Sequence, residues 1–332
     1  MNPTHSPRSA DRPWLRRIAK VLILAQALYP LAGIVPARAQ TQPPAPLVPH
    51  RGAPAGQQPI IDAAQNGVPL VHIAPPSAAG VSRNQYDQFN VGTNGLILNN
   101  STGNVQTQLG GWVGGNLQLG PTPARIILSE VVSTNPSQLR GVIEVAGQRA
   151  DIVVANPNGI ACSGCGFVNT AGRATLTTGV PEMGSRGELT GFAVGQGQIN
   201  VGAGGLTATN LEQLDLIARG LVIEGEVWAA NLNAVIGANR VLYGTLAATP
   251  QTATGATPGF AIDIKDLGGM YANQIYMVAS ERGLGSTVRA AWSRCRATSR
   301  CRPTATSRSR TALRSRTCGS AAAPTPRSPA RP

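Results

Sequence analysis

The chain alternates short apolar runs with turn-forming residues over most of its length. The runs are rich in Val, Ile and Leu and are separated by Gly, Asn and Ser. Hardly any segment keeps the 3.6-residue period of an amphipathic helix, so the pattern predicts an all-β chain. The clearest predicted strands are GLILNN, ARIILSEVV, GVIEVAG, DIVVAN, RATLTTG, GQINVG, GLVIEGEVWAANLNAVIG and NQIYMVAS.

The spacing of these runs favours a solenoid over a sandwich. The run INVG begins at Ile199 and the run LVIE begins at Leu221. A β-solenoid repeats short strands at a coil length of about 20 to 25 residues, whereas a sandwich needs paired antiparallel strands. The two runs are therefore predicted to lie one coil apart. Because the end of a solenoid exposes unpaired strand edges, we expect the irregular N-terminal third to act as a cap.

Composition agrees with a narrow core of stacked coils. Hydrophobic residues make up 42% of the 332 residues, but aromatic residues make up only 4%. Such a core must be built from Val, Ile, Leu and Ala, and the 39 Gly and 26 Pro residues suit frequent tight corners.

The strongly basic balance belongs to the two ends of the chain. The formal net charge is +13, with six basic residues and one acid in residues 1–39, and eleven Arg and no acid in residues 289–332. Residues 40–288 carry eleven Lys or Arg against fourteen Asp or Glu, a net charge of −3. The main part of the chain therefore has no electrostatic footprint for nucleic acid, and we predict no nucleic-acid partner.

Residues 1–39 read as a secretory signal peptide. LRRIAK supplies a basic region, VLILAQALYPLAGIV an apolar stretch, and Ala37 and Ala39 the small-x-small cleavage signal. A membrane anchor is the alternative, but the apolar stretch is short and is interrupted by Pro30. We predict export through the inner membrane, by the general secretory route rather than the twin-arginine route, with cleavage after Ala39.

Two further segments have unusual compositions. Residues 40–65 are Pro-rich and aperiodic, which predicts an extended leader. Residues 288–332 are rich in Arg, Ser, Thr and Pro, which fits a disordered basic tail or an arm that binds RNA or an anionic surface. We favour a third interpretation, in which this tail is the out-of-frame translation of a GC-rich gene.

Several motifs carry a resemblance to a known family. The segment GVSRNQYDQFNVGTNGLILNNS at 80–101 resembles the opening motif of the haemagglutination-activity domain, the secretion domain of filamentous haemagglutinin-like exoproteins of two-partner secretion systems. The resemblance continues in order through GGWVGGNLQL, the long segment from ARIILSEVV to ANPNGI, and CSGCGFVNTAGRATLTTG, and it covers roughly residues 65–285.

The resemblance implies a fold, a role and a partner. Members of this family fold as a right-handed parallel β-helix with an N-terminal cap and small extra-helical antiparallel sheets, which we expect for residues 66–287. It also implies that the POTRA domains of an outer-membrane β-barrel transporter bind the domain in the periplasm. The exoprotein then moves to the cell surface or the extracellular space. Neither catalysis nor a cofactor is implied.

The family signature Asn-Pro-Asn-Gly-Ile falls on Asn156, Pro157, Asn158, Gly159 and Ile160. Pro fixes one backbone angle, Gly permits a positive φ, and Asn side chains can bond to the backbone of their own turn. This sequence therefore predicts a rigid turn after the strand DIVVA. Scaffolding is the first interpretation of its role, and direct recognition by the transporter is the second.

Two other motifs of the family are only partly present or have a structural interpretation. A second signature, Asn-Pro-Asn-Leu, follows GGWV in the family, but here the chain reads Gly-Gly-Asn116-Leu117, which we interpret as the loss of the first Asn-Pro pair. Asn84, Tyr86 and Phe89 match an Asn-x-Tyr-x-x-Phe element, and we expect them to pack in the core or the cap rather than contact a partner.

Cys162 and Cys165 allow three interpretations: a zinc site, a redox centre or a structural clip. Zinc needs four ligands, and the candidate histidines in the ordered region are only His50 and His72. A thioredoxin-like site needs a helix N-terminus, whereas Gly and β-forming residues surround this pair. We therefore predict a local disulfide and no metal, and we assign no role to Cys295, Cys301 and Cys318 in the tail.

Two other function classes remain as alternatives. Parallel β-helices also host enzymes that degrade polysaccharides, but the acids here are scattered, and only Glu224 and Glu226 are predicted to share a strand face. An adhesin that binds glycan or protein on a host or neighbouring cell is the other alternative. In this family adhesion belongs mainly to the long repeats that follow the secretion domain.

Overall fold

The computed structural model describes residues 47–281 and 285–288, and these residues form strands, turns and bends but no helix. The strands, in chain order, are β1 (Leu47–Pro49), β2 (Ile60–Ala63), β3 (Pro69–His72), β4 (Val81–Phe89), β5 (Leu96–Asn100), β6 (Val105–Thr107), β7 (Gly111–Val113), β8 (Ile126–Val131), β9 (Ser137–Leu139), β10 (Val142–Gly147), β11 (Ala150–Ala155), β12 (Ile160–Cys162), β13 (Cys165–Val168), β14 (Thr170–Thr177), β15 (Val180–Met183), β16 (Leu189–Val194), β17 (Gln198–Val201), β18 (Leu206–Ala208), β19 (Gln213–Ala218), β20 (Gly220–Ile223), β21 (Glu226–Ile236), β22 (Asn239–Leu242), β23 (Ala248–Pro250), β24 (Phe260–Ile264), β25 (Gly269–Ala279) and β26 (Gly285–Val288).

Most strands belong to three long faces of parallel strands. Face 1 contains β3, β5, β10, β13, β18 and the first halves of β21 and β25. Face 2 contains β4, β8, β11, β14, β19 and the second halves of β21 and β25. Face 3 contains β9, β12, β17, β20, β24 and β26. The chain passes through the faces in this order again and again, which is the architecture of a parallel β-helix.

Each circuit of the chain is one coil. The coils are coil 1 (β3–β4), coil 2 (β5–β9), coil 3 (β10–β12), coil 4 (β13–β17), coil 5 (β18–β20), coil 6 (β21–β24) and coil 7 (β25–β26). The predicted one-coil spacing of INVG and LVIE is confirmed, because Ile199 of coil 4 pairs in parallel with Leu221 of coil 5. The prediction of a β-helix with small extra-helical sheets is confirmed as well.

The core runs along the axis of the β-helix and is mainly aliphatic. Inward side chains such as Val154, Leu176, Leu216 and Ala234 are fully buried and stack from coil to coil. Full burial of one such side chain stabilises the folded state by about 1.5 to 3 kcal/mol. Repetition along the stack therefore provides a sizeable core with very few aromatic residues.

The N-terminal cap is formed by residues that we predicted to be an extended leader. Strand β1 pairs antiparallel with β4, and β2 pairs antiparallel with β3, so both cover edges that coil 1 would otherwise expose. The prediction of an extended leader over 40–65 did not include this pairing, and the described part of the segment contains both strands. The two strands are three and four residues long and hold their form only by pairing, which local sequence pattern does not reveal. The predicted signal peptide and the predicted tail beyond residue 288 lie outside the described residues.

Three insertions form the two extra-helical sheets: β6–β7 in coil 2, β15–β16 in coil 4 and β22–β23 in coil 6. The hairpin β6–β7 lies against face 1, where the buried Glu144 carboxylate accepts hydrogen bonds from the backbone N–H of Gln108 at 2.7 Å and of Leu109 at 2.8 Å. The second sheet, in the order β15-β16-β22-β23, packs on the outside of face 2 through Phe192 and Val241. Its strands come from coils 4 and 6, so it joins distant parts of the helix.

Among residues 47–281 and 285–288 we find no helix with the length and apolar character needed to cross a bilayer.

Candidate functional site

The signature turn occupies the corner between face 2 and face 3 in coil 3. The Asn156 side-chain oxygen Oδ1 accepts a hydrogen bond from the backbone N–H of Asn158 at 3.0 Å, and the Asn156 carbonyl accepts one from Gly159 at 3.1 Å. Gly159 has a φ of +113°, a value that L side chains rarely adopt. Ile160 is buried in the core immediately after the turn. The sequence therefore folds into a compact turn whose shape depends on its own amide side chain.

The same amide groups tie coil 3 to coil 2. Asn156 Nδ2 donates to the carbonyl of Asn135 and to the Ser137 hydroxyl, both at 2.9 Å. Asn158 Nδ2 donates to the carbonyl of Ser133 at 2.6 Å. Asn156 is fully buried, so these bonds satisfy polar groups that water does not reach.

The polar contacts continue from coil 2 to coil 1 and the cap. The Ser133 hydroxyl and the Asn135 amide donate to the carbonyl of Asp87, at 2.5 and 3.2 Å. The Asp87 carboxylate in turn lies 2.7 Å from Nδ1 of His50 in the cap segment. We call this set of residues the corner ladder: His50, Asp87, Ser133, Asn135, Ser137, Asn156 and Asn158.

On its other side the turn contacts coil 4. The Asn156 N–H donates to the carbonyl of Thr177 at 2.9 Å. A Cβ atom on Gly159 would lie 3.2 Å from the carbonyl oxygen of Gln198, so this coil packs closely above the turn. Pro157 and Asn158 remain half-buried at the surface, whereas Asn156 and Ile160 are buried. The turn is thus a fixed structural corner with two residues that a partner could reach.

The second predicted motif folds into the same kind of turn as the first, but the turn begins at a different signature position from the one we assigned to Asn116. Asn116 Oδ1 accepts from the N–H of Gln118 at 3.0 Å, and the Asn116 carbonyl accepts from Leu119 at 3.2 Å, the arrangement seen at Asn156. Asn116 therefore stands where Asn156 stands in the first turn. The side chain of Leu117 is fully exposed at the Pro position, Gln118 takes the second Asn position, and Leu119 is buried. Our interpretation that the first Asn-Pro pair is missing is therefore wrong. Asn116 is the first Asn of the signature, and Leu117 and Gln118 replace the Pro and the second Asn. The sequence alone allows either alignment, and the hydrogen bonds decide between them.

The amide groups of this second turn also reach the preceding coil. Asn116 Nδ2 donates to the carbonyls of Ile73 at 2.8 Å and Asn99 at 3.0 Å. Gln118 Nε2 donates to the carbonyl of His72 at 2.9 Å. The turn therefore attaches the segment after hairpin β6–β7 to coil 1.

The Asn-x-Tyr-x-x-Phe element lies in the core of coil 1. Asn84 is buried, accepts from the N–H of Ala74 at 2.8 Å and donates to the carbonyl of Leu128 at 3.3 Å. Tyr86 and Phe89 are buried with their ring centroids 5.0 Å apart in an edge-to-face contact. Burial raises the pKa of the Tyr86 hydroxyl far above its usual range, so it stays neutral. These residues are placed to support the cap end of the helix.

Cys162 and Cys165 form a disulfide at the corner between face 3 and face 1, with a Cα–Cα distance of 5.6 Å. The two histidines that we considered as zinc ligands have other partners. His50 contacts Asp87, and His72 contacts Asp62 and Asn99. Within the described ranges, no group of three or more His, Cys, Asp or Glu side chains could hold a metal ion.

The acidic pair considered for an enzyme does not share a strand face. Glu224 lies in the bend between β20 and β21, and Glu226 begins β21. The Glu226 carboxylate accepts from the Trp228 indole N–H at 2.9 Å.

Elsewhere, Asp215 is buried and lies 2.6 Å from Nε of Arg173, whose guanidinium also covers the Tyr243 ring at 4.2 Å. These contacts attach the four-stranded sheet to face 2.

Sequence reasoning missed the coil 2 part of the corner ladder. Ser133, Asn135 and Ser137 belong to the segment STNPS, which we did not single out. A usable signal was present, because the pair Asn135-Pro136 precedes the pair Asn156-Pro157 by one coil length. A repeated Asn-Pro at the coil period indicates two corners stacked on one another.

The fold defines the class of the protein as a capped parallel β-helix with extra-helical sheets and asparagine-built corners. The family model for the TPS secretion domain matches residues 45–297. The chain therefore belongs to the two-partner secretion domain family, and the family prediction from sequence is confirmed.

Proteins of known name and structure support the same assignment. The chain is 47% identical over 273 residues to "tRNA nuclease CdiA-2" of Burkholderia pseudomallei strain 1026b, covering 82% of this chain and 8% of that protein. It is 44% identical over 271 residues to "Toxin CdiA" of Yersinia pestis, covering 81% and 8%. The crystal structure of a filamentous hemagglutinin secretion domain matches with a TM-score of 0.66 and 38% identity, covering 72% of this chain and 80% of that one.

The chain spans about 8% of the length of these curated relatives. Membership in the family gives the chain a secretion-targeting role. The destination of such an exoprotein is the cell surface or the extracellular space.

Proposed function

We propose that the periplasmic POTRA domains of the cognate outer-membrane transporter recognise this domain, and that the corner ladder holds the recognised surface in place. The observation that supports this most is the continuous set of hydrogen bonds from His50 through Asp87 and Ser133 to Asn158. It fixes one corner of three coils relative to the cap. At the end of this set, Pro157 and Asn158 are half-buried and can be reached by a partner.

In this proposal the signature turn has two roles that depend on different residues. Asn156 is buried and supports the corner, whereas Asn158 combines a bond to Ser133 with partial exposure. A loop that a scaffold fixes in one conformation loses little entropy when a partner binds. Rigidity of the corner therefore favours recognition, and scaffolding and recognition are compatible.

The test combines secretion with direct binding. Asn158→Ala should reduce both secretion through the co-expressed transporter and affinity for its purified POTRA domains. Asn66→Ala is the matched control, since Asn66 also lies in a turn and donates to a carbonyl, that of Leu109, at 2.7 Å, but lies outside the corner ladder. The Asn66 variant should be secreted and bind as the parent chain does.

Each outcome decides between functions. If Asn158→Ala binds the POTRA domains and is secreted as well as the Asn66→Ala control, the turn acts as scaffold alone. No binding of the parent chain to POTRA domains, together with specific retention on a glycan array, would favour the adhesin alternative.

We propose further that the exoprotein served by this domain acts as a toxin rather than a host adhesin. The support is the naming of its relatives as toxins and tRNA nucleases. The domain itself is proposed to have no catalytic role. The purified chain should leave tRNA and acidic polysaccharides uncleaved, and cleavage of polysaccharide that disappears on Glu224→Gln would restore the enzyme alternative.

The proposed route passes through the periplasm after removal of residues 1–39. N-terminal sequencing of the secreted chain should give Gln40 as the first residue, or reveal a blocked terminus whose peptide mass begins at that position. A secreted chain that retains Met1 would contradict this route.

A further inference from the structure

The disulfide lies where two strands of the core meet. Cys162 ends β12 and Cys165 begins β13, and Ser163 and Gly164 form the exposed turn between them. The cysteines themselves are 0% and 3% exposed and belong to the main apolar core. The surface of this corner is therefore backbone and the Ser163 side chain, with both sulfur atoms behind it.

Coils on both sides close over the pair. The N–H of Ser163 donates to the carbonyl of Leu139 in coil 2 at 2.9 Å. From coil 5, the carbonyl of Gly205 accepts from Gly164 at 2.8 Å, and this carbonyl oxygen lies 3.5 Å from Cys162 Sγ.

The turn that leads into coil 5 packs especially tightly. The N–H of Gly202 donates to the carbonyl of Cys162 at 2.8 Å, and a Cβ atom on Gly204 would lie 2.7 Å from the backbone nitrogen of Gly164. Because the two cysteines are also 0% and 3% exposed, a reagent in solvent has no open approach to the sulfur atoms of the folded chain.

Thiol–disulfide exchange needs direct access to sulfur. A thiolate must attack along the axis of the sulfur–sulfur bond, which requires an open approach to one of the two atoms. In the folded chain the neighbouring coils block that approach. Exchange at Cys162 and Cys165 is thus confined to states in which the turn from coil 4 into coil 5 has separated from this corner.

We infer that the Cys162–Cys165 disulfide is made before the coils stack, by exchange between the unfolded chain and the disulfide of a thiol–disulfide oxidoreductase. One cysteine thiolate attacks the oxidant's disulfide, forming a mixed disulfide and releasing one oxidant thiolate. The second cysteine thiolate then attacks the first cysteine's sulfur and releases the other. Two electrons pass to the oxidant, which becomes a dithiol, and the two cysteines have lost their protons.

The early bond is compatible with transport of an extended chain. It closes a loop of only four residues and joins Cα atoms 5.6 Å apart, where an extended chain would span roughly 10 Å. No distant segments become cross-linked. This consequence rests on the proposed function, whereas the order of oxidation and folding does not.

The exchange reaction can be measured on the full chain. Cleavage after Arg149 and Arg173 releases a peptide that contains Cys162 and Cys165 and no other cysteine, so alkylation can be followed there by mass spectrometry. The oxidised native chain is incubated with dithiothreitol, and the reduced, refolded chain with oxidised glutathione. The same chain in urea is the matched control for both.

We expect exchange in the native chain to be at least about 100-fold slower than in urea, in whichever direction it is measured. Native exchange within a few-fold of the urea rate would overturn the inference. If the reduced chain does not refold, the reduction arm alone decides. No transporter is present, so this result is independent of the proposed function.

A pulse-chase in cells tests the order directly. One portion of each sample is quenched with acid and alkylated, which measures the disulfide. A second portion is treated with protease under native conditions, which measures folding. The peptide should be oxidised before the domain becomes protease-resistant. Protease-resistant chains that carry reduced Cys162 and Cys165 and oxidise later would overturn the inference.

Discussion

Two turns of this protein share one hydrogen-bond design but differ in sequence. In both, a buried asparagine, Asn156 or Asn116, accepts from the N–H two residues on and donates to the carbonyl of a residue in the preceding coil. In both, the third residue, Asn158 or Gln118, donates its amide to that coil as well. The second residue differs most, since Pro157 is half-buried and Leu117 is fully exposed.

The comparison separates what the turn requires from what it tolerates. The first asparagine is needed because its short amide closes the turn and satisfies buried carbonyls in one position. The third residue needs only an amide of suitable reach. The second needs a backbone that turns, and its side chain is free to vary.

The largest effect is expected at Asn156, whose fully buried side chain makes four hydrogen bonds to residues of coils 2 and 3. Asn156→Ala should lower the free energy of unfolding by about 3 kcal/mol, because buried polar groups lose their partners. Urea unfolding followed by circular dichroism measures the change. Asn156→Asp keeps the acceptor and the shape but loses both donors, so a wild-type midpoint for that variant would show that the donors contribute nothing.

A smaller loss is expected at the equivalent residue of the other turn. Asn116→Ala should cost about 2 kcal/mol, since Asn116 attaches only its own segment to Ile73 and Asn99. The same unfolding experiment ranks the two variants. An equal or larger loss at Asn116, whose side chain makes three such bonds, would contradict the idea that the number of side-chain hydrogen bonds sets the cost.

The third positions should give a still smaller effect and similar values for the two turns. Asn158→Ala and Gln118→Ala each remove one bond to a backbone carbonyl, of Ser133 and His72, at a half-buried site, and Asn158→Ala also removes the longer 3.3 Å bond to Asn156 Oδ1. Each should therefore cost about 1 kcal/mol, measured by the urea midpoint. A difference above about 1 kcal/mol between them would show that the turns are not equivalent at this position.

The smallest effect is a gain. Leu117→Pro restores the residue found at Pro157 and should raise the free energy of unfolding by about 0.5 kcal/mol by restricting the unfolded chain. Among the described residues the Leu117 N–H donates no hydrogen bond, so proline removes none. Thermal unfolding measures this change, and Pro157→Ala, the reverse substitution in the other turn, should lower the stability. Destabilisation by Leu117→Pro would mean that the backbones of the two turns differ.

Much of the fold could be predicted because a solenoid repeats. The sequence spacing between INVG and LVIE equals one coil, because Ile199 pairs with Leu221 in the next coil. The aliphatic runs supply the side chains that point into the core. The position of the cap was predicted, but its strands were not, since β1 and β2 have no pattern of their own and exist by pairing with β4 and β3.

The candidate site was predictable in its residues but not in its connections. Asn156, Pro157 and Gly159 indicate a turn by their chemistry alone. That Asn156 bonds Asn135 and Ser137, and that Asp87 carries the contacts on to His50, depends on how coils 1 to 3 stack. The register of the Asn116 turn was misread for the same reason.

Local sequence thus determined the strands, the corners, the family and the pairing of two cysteines three residues apart. Tertiary structure alone decided which corners stack, which amides are buried, and that the sulfur atoms lie behind the turns of neighbouring coils. The physical reason is range: turn chemistry and hydrophobic period act over a few residues, whereas partners in a β-helix lie a full coil apart and their contacts depend on register.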